Sequence, residues 1–202
     1  MSANLGLAGR FALLAGANDT GVRQRLRDDG MEVVELETDD RASWDQAVAE
    51  AMRSTPGKLD LLVISQDTSL EGSLGETPEP AFLELLEKNL TAAFRIGRAC
   101  FAAMRERGGG SIVFVASEGA VRAVHESAAV SVAAAGLIAV AELFAAEGAS
   151  HGIRANAVCP RRGTDVSAVV AWLASDESAH LSGATLRVDD AEGAAMVVDT
   201  RI

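Results

Sequence analysis

The sequence predicts an α/β fold with a doubly wound, mostly parallel β-sheet. Short apolar runs alternate along the chain with longer stretches in which apolar residues return at helical spacing. Glycine or a Pro-Gly pair separates many of these segments, as expected of turns between strands and helices. Neither a linker nor an internal repeat interrupts the 202 residues. We therefore predict a single domain over residues 1–202.

In the first half, apolar runs that end at turn residues predict the strands. Gly16 ends the first run, and Gly30 ends the helix that follows it. Further along, Trp44, Val48 and Met52 recur at intervals of four residues and predict one face of a second helix. The predicted strands of this half are Phe11–Ala15, Glu32–Leu36 and Leu59–Ser65, and the predicted helices cover residues 20–29 and 40–53.

Two long helices dominate the second half. The first is predicted over residues 80–107, where three consecutive glycines stop it. The second, over residues 127–147, has no charged residue from Ser127 to Ala141, and a helix that is apolar on all sides is buried on all sides. The remaining predicted elements are strands over residues 111–116, 153–158 and 185–188 and a short helix over residues 166–174.

The composition narrows the function classes. A formal net charge of −11 at pH 7 argues against nucleic-acid binding, which needs a basic surface. The apolar stretch of residues 127–141 is shorter than a bilayer span, so we expect a buried helix there. The N-terminus lacks the pattern of a signal peptide, and Cys100 and Cys159 lack metal-ligand spacing. We therefore expect a cytoplasmic protein with two reduced core thiols.

Two segments of the second half carry a recognisable pattern. Residues 110–117 read GSIVFVAS, and residues 151–160 read HGIRANAVCP. In order and spacing they resemble the short-chain dehydrogenase/reductase (SDR) family, and weaker matches extend the resemblance over nearly the whole chain. The weaker matches lie at residues 7–14, 58–63, 88–90 and 172–189. The resemblance implies a Rossmann-like fold and an ancestry of NAD(P)-dependent oxidoreductases.

The catalytic residues that the resemblance implies are only partly present. The family uses a tyrosine, a lysine, a serine and an asparagine, of which Ser117 and Asn89 match the last two. Val130 and Ala134 stand at the tyrosine and lysine positions, and the whole chain contains no tyrosine. Since neither replacement can give or take a proton, we regard Ser117 and Asn89 as vestigial and predict no catalytic residue.

The glycine-rich phosphate loop is also incomplete. In the family it lets the backbone approach the cofactor's pyrophosphate at a helix N-terminus. Here the segment after the first strand reads AGANDTGV, in which only Gly16 and either Thr20 or Gly21 can correspond. Asp19 would repel phosphate oxygens. We interpret Gly16 and Gly21 as vestigial, predict a tight strand-to-helix turn, and expect this chain to bind no cofactor.

One strand–helix unit is missing by comparison with the family. The predicted strand Glu32–Leu36 runs directly into residues 38–43, which resemble the segment after the family's third strand. The missing unit forms one wall of the family's adenine pocket. Glu35 or Glu37 could hold the adenosine ribose, but we favour the interpretation that both are solvated residues at a strand end.

Two further departures affect the pocket that the family uses. The cofactor-floor motif NNAG is replaced by the sequence ISQD at residues 64–67. After Pro160, the predicted helix over residues 166–174 follows within a few positions, so the lobe that covers the substrate is nearly absent. An enzyme of this family would then leave its substrate in contact with water.

Other polar groups offer weaker alternatives. Ser117 with His125 and Glu126 suggests hydrolase chemistry, but no G-x-S-x-G elbow surrounds the serine. His151 and His180 are isolated and lack metal-ligand spacing. Near the C-terminus, Asp189, Asp190 and Glu192 form an acidic cluster that we interpret as a solvated turn.

The parts that the chain retains point to association. Helices 80–107 and 127–147 and the C-terminal helix and strand form the subunit interfaces of the family. We therefore hypothesise a non-catalytic subunit of a hetero-oligomeric dehydrogenase. Its partner through these elements is a catalytically intact SDR paralogue that holds NAD(P). The alternatives are an NAD(P)-dependent oxidoreductase with atypical proton transfer and a small-molecule-sensing module with its cleft near Ser117 and Asn89.

Overall fold

Seven strands form one sheet in the computed structural model. The structure describes residues 5–16, 20–36, 44–53, 59–65, 69–70, 72–73, 75–122, 128–189 and 197–199. The strands are β1 (Phe11–Ala15), β2 (Glu32–Leu36), β3 (Leu59–Ser65), β4 (Gly110–Val115), β5 (Ile153–Pro160), β6 (Thr185–Val188) and β7 (Val197–Asp199). The helices are α1 (Thr20–Asp28), α2 (Trp44–Arg53), α3 (Glu79–Leu86), α4 (Ala92–Arg107), α5 (Ala128–Gly148) and α6 (Ser167–Ala174).

The sheet order is β2-β1-β3-β4-β5-β6-β7, with the first six strands in parallel and β7 antiparallel to β6. A doubly wound dinucleotide-binding sheet has two strands outside β1 on the β2 side, whereas the described part of this sheet has one. The predicted loss of one strand–helix unit is therefore confirmed. Only residues 161–166 join β5 to α6, which confirms the predicted absence of the substrate lobe.

The sheet separates two apolar layers. On one face α2, α4 and α5 pack on strand residues such as Leu13 and Phe114, and α4 contributes Ile96 to this layer. On the other face α1 and α6 contribute Leu26 and Val170 to a second layer. Because the central strands are covered on both sides, they are predominantly apolar, as parallel strands usually are.

The helix predicted over residues 80–107 has an irregular turn. A π-helical segment, Glu87–Thr91, joins α3 to α4 without a break in the chain direction. Its Leu90 fits against Gly136 of α5, where an added Cβ atom would lie 2.7 Å from the leucine side chain. The glycine therefore sets the close approach of the two helices at this level.

The bounds of the other elements differ little from the prediction, but the sheet has one strand more at its C-terminal end than predicted. α2 begins at Trp44, and residues 40–43 of its predicted range lie outside the described part of the chain. The expectation that Thr185–Val188 is the last strand is wrong, because β7 follows it at the edge of the sheet. A strand of three residues is too short for the alternation of polar and apolar residues to be recognised.

α5 runs along the outside of the sheet and is only partly covered. Residues 128–151 include the one described helix that is long and apolar enough to cross a membrane by length and composition. Within its most apolar window, 39% of residues are buried. Core helices of folded proteins also pass this test, and α5 packs on β5. Part of α5 is therefore exposed in the isolated chain, and the expectation that another subunit covers it stays a prediction.

Candidate functional site

The four positions singled out by the family pattern meet at the carboxyl ends of the strands. Ser117 follows β4 and starts a 3₁₀ turn at residues 118–120, and Asn89 lies in the π-helical segment. α5 contacts both the turn and the segment, and it carries Val130 and Ala134 in its first two turns. The fold thus brings the serine and asparagine to the same helix that lacks the tyrosine and lysine.

Apolar packing takes the place of the missing proton-transfer groups. Ala134 is 4% exposed, and its methyl group lies in the interior at the lysine position. Val130 is half-buried and packs on a small cluster with Leu85, Ala129 and Ala133. Neither side chain can ionise, so this part of the site supplies no general acid or base.

The polar groups that remain are hydroxyls and an amide. Asn89 is 4% exposed, in a π-helical segment of the kind often found at functional sites. The Ser117 hydroxyl does not cap the turn that it begins. An ideal Cβ on Gly119 would lie 3.3 Å from Ser117 Oγ and 2.7 Å from Ser131 Oγ, so both hydroxyls border the space beside this glycine.

Ser131 and Thr164 are polar residues that sequence reasoning missed. Their hydroxyl oxygens are buried, and neither has a hydrogen-bond partner among the described residues. A buried hydroxyl in that state is costly unless a water or ligand completes it. A single serine in an alanine-rich helix and a threonine in a short loop carry no periodic signal, so only the three-dimensional structure identifies them.

Two glycines of the predicted phosphate loop are among the described residues. Gly16 follows β1 with φ of 103°, a conformation that favours glycine in a tight turn, and Gly21 lies in the first turn of α1. Asp19 lies outside the described residues, as do Gln66 and Asp67 after β3.

The first residue of the segment that replaces the cofactor-floor motif, Ile64, lies in the protein interior. Its side chain is 0% exposed and belongs to the core layer beneath α4 and α5. The bulk of Ile64 therefore fills the protein interior, where any apolar residue of β3 would be accommodated.

Glu35, one of the two acidic candidates for ribose binding, forms ion pairs with two arginines. Glu35 Oε1 lies 3.1 Å from Arg23 Nη1 and 3.6 Å from Arg27 Nη2, and the Glu35 side chain is 39% exposed. A surface ion pair at a strand end accounts for Glu35 without a ligand, and Glu37 lies outside the described residues. In the described part of the sheet no strand lies beyond β2, on the side where a dinucleotide-binding sheet has its third strand.

The remaining candidates show no sign of a site. The His151 ring packs edge-on against Phe101, and His180 is exposed beside Trp172. Asp189 lies 3.3 Å from Arg161 and 3.4 Å from Arg187 as a surface ion cluster. No group of three or more His, Cys, Asp or Glu side chains that could hold a metal ion occurs in the described part of the chain. The other proposed residues lie outside that part, namely His125, Glu126, Asp190 and Glu192.

The two cysteines are inert core residues, as predicted. Cys100 and Cys159 are both buried and unpaired by disulfide. Burial raises the pKa of each thiol to about 12, because the thiolate would lose its hydration. Neither thiol is therefore a nucleophile at neutral pH.

Comparison with known proteins supports the family resemblance. Residues 8–162 match the family model described as enoyl-(acyl carrier protein) reductase. The 3-oxoacyl-[acyl-carrier-protein] reductase MabA of Mycobacterium avium is 27% identical over 219 residues, which cover 94% of this chain and 86% of that protein.

Solved structures share the fold. A short-chain dehydrogenase/reductase from Burkholderia xenovorans gives a TM-score of 0.83 at 22% identity, covering 91% of this chain and 96% of that one. A gluconate 5-dehydrogenase from Burkholderia cenocepacia J2315, solved with NADP and tartrate, gives 0.81 at 20% identity, with coverage of 90% and 94%. The motifs, the parallel sheet and the extent of these matches agree, and the chain belongs to the short-chain dehydrogenase/reductase family of oxidoreductases.

Proposed function

We propose that this protein is a non-catalytic subunit of a hetero-oligomeric dehydrogenase of its own family. The observation that carries the proposal is the pair of aliphatic side chains at the family's tyrosine and lysine positions. Both are packed against neighbouring apolar groups, so no titratable group replaces them. General acid catalysis contributes a factor of roughly 10²–10⁴ to such reactions, which this site forgoes.

The exposed outer face of the long helices supports association. α5 carries Val132 and Leu143, which are 50% and 47% exposed, and no charged residue precedes Glu142 in that helix. Phe94 on α4 and Leu83 on α3 are 36% and 54% exposed. Large apolar side chains clustered on one set of helices are typical of a surface that another protein covers. We name these four residues, with α3, α4 and α5, the helical face.

In this proposal the partner is a paralogue with the intact tyrosine, lysine and glycine loop, and it holds NAD(P). It contacts the helical face and the C-terminal strands of this chain. The relative from Mycobacterium avium is named as a 3-oxoacyl-[acyl-carrier-protein] reductase. We accordingly propose that the complex reduces a carbonyl group at the partner's site. We place the complex in the cytoplasm, where the two thiols stay reduced.

Native mass spectrometry of the tagged protein from its own host tests the proposal. We expect a stoichiometric complex with a second family member whose sequence contains the tyrosine and lysine. A chain that purifies as a lone monomer, or with unrelated proteins only, contradicts it. Separation of the two subunits should abolish reductase activity in this chain and leave it, at a lower level, in the partner.

A second candidate is an oxidoreductase that moves its proton through water or the substrate. The hydroxyls of Ser117 and Ser131, which border one space beside Gly119, favour it because they could orient a carbonyl or a water molecule. Titration of this chain alone with NADH and NADPH, followed by cofactor fluorescence, separates the two candidates. Saturation at micromolar concentration supports the second, and no binding at millimolar concentration removes it.

A further inference from the structure

The missing strand–helix unit leaves β2 at the edge of the described sheet. β2 pairs only with β1, in a parallel register that matches Phe11 to Glu32 and Ala15 to Leu36. The amide of Glu32 donates to the carbonyl of Arg10, so alternate residues from Glu32 onward direct their backbone groups toward β1. The backbone N–H and C=O groups of Val33 and Glu35 consequently face the open edge.

An open edge of this kind is a template for pairing with another chain. Unpaired backbone donors and acceptors in a row attract a second strand, and folded proteins prevent this with charges or covering groups. Val33 and Val34 form the centre of β2, and β-branched, apolar side chains of this kind favour strand pairing. Both valines are only half-buried. Val33 and Val34 point to opposite faces of the sheet, and each is partly exposed beside the open edge.

Two arginines of α1 reach this edge. Arg23 Nη1 lies 3.1 Å from Glu35 Oε1, and Arg27 Nη2 lies 3.6 Å from the same oxygen. Arg27 Nη2 also lies 3.5 Å from the outward carbonyl oxygen of Val33. The guanidinium of Arg27 therefore sits between a side-chain carboxylate and a backbone acceptor of the open strand. We name Arg23, Arg27 and Glu35 the edge cluster.

We propose that the edge cluster prevents β2 from pairing with β2 of a second copy of this chain. The Arg27 guanidinium occupies the outward acceptor that an incoming strand would need, and the three charged side chains keep the edge hydrated. Pairing would require the incoming strand to displace these groups and remove their charges from water. The cluster thereby compensates for the strand that the fold lacks and directs association to other surfaces.

The test compares two variants with the same charge change. Arg23→Ala/Arg27→Ala removes the cluster, whereas Arg25→Ala/Arg53→Ala removes two arginines that pair with Asp29 and Glu50 away from the edge. We expect the first variant to double the mass of the wild-type species in a concentration-dependent way, measured by light scattering after size exclusion. The second variant should keep the wild-type mass.

Hydrogen exchange then locates the new contact. The amides of Val33 and Glu35 should exchange rapidly in the wild type and become protected in the associated variant. Equal masses for the two variants overturn the proposal, and so does association in which these amides still exchange rapidly. If the double variant does not fold, Arg27→Gln removes the guanidinium alone and is judged by the same two measurements. This inference is independent of the proposed function, since it concerns the opposite end of the sheet from the C-terminal strands.

Discussion

Replacing Leu143 by aspartate should weaken assembly while leaving the fold intact. The residue is 47% exposed, so about half of the ~1.5–3 kcal/mol for burying a leucine, or about 1 kcal/mol, remains to be gained at an interface. An aspartate there loses this gain and must also be dehydrated without a partner. We expect a total loss of at least about 2 kcal/mol, which corresponds to roughly 30-fold weaker binding.

The assay is native mass spectrometry of the complex over a dilution series, with thermal unfolding of the isolated chain alongside. Val121→Asp is the matched control, because Val121 is 44% exposed on a turn outside the helical face. We expect the midpoint of dissociation to shift for the Leu143 variant only. Both side chains are about half-buried within the chain, so thermal unfolding should be destabilised by a similar amount, about 1 kcal/mol, in both variants. Equal complex stability in wild type and the Leu143 variant would refute the assignment of the helical face.

Three further predictions concern stability and reactivity. Gly97→Ala places a Cβ atom 3.0 Å from a core phenylalanine ring and should cost about 1–3 kcal/mol in urea unfolding, whereas Gly75→Ala, with nothing within 4 Å, should be close to neutral. Arg154→Ala should cost about 2–4 kcal/mol in the same assay, because the guanidinium donates to four carbonyl oxygens around the end of α6. Arg154→Lys should not recover this stability, because an ammonium group cannot reproduce the planar arrangement of donors. Burial raises the pKa of Cys100 and Cys159 from 9.0 to about 12. As the pH rises, these thiols therefore ionise in the unfolded chain before they ionise in the folded one. Stability should therefore fall between about pH 9 and 12, and a thiol reagent at pH 8 should react only after unfolding.

Much of the architecture follows from apolar runs and turn residues. β1, β2, β3 and β6 have the predicted bounds, because each run is short and apolar at its centre. The absent strand could be recognised from the sequence because β2 leads straight into a segment that resembles a later part of the family pattern. β7 could not be recognised, since three residues at a sheet edge have no periodicity to detect.

The sequence shows which family residues the candidate site lacks, but it does not show which polar groups lie together there. A missing tyrosine is visible in the sequence, and the structure adds that Ala134 is packed in the interior. The orphan hydroxyl of Ser131 depends on how closely Gly119 approaches α5, which is a property of tertiary packing. The role of Glu35 likewise depends on tertiary structure, because the two arginines that it contacts lie on the preceding helix, α1.

The π-helical segment rotates α3 relative to α4 about their common axis. In a regular α-helix each residue turns the chain by about 100°, so an extra residue in one turn rotates everything before it relative to everything after it. α3 can then point Leu85 toward α5, while α4 points Ile96 into the core layer on the sheet. Deleting one residue from Glu87–Thr91 would leave an unbroken and more regular helix. It would also turn Leu85 away from α5 and disconnect the small cluster that includes Val130, at the family's tyrosine position.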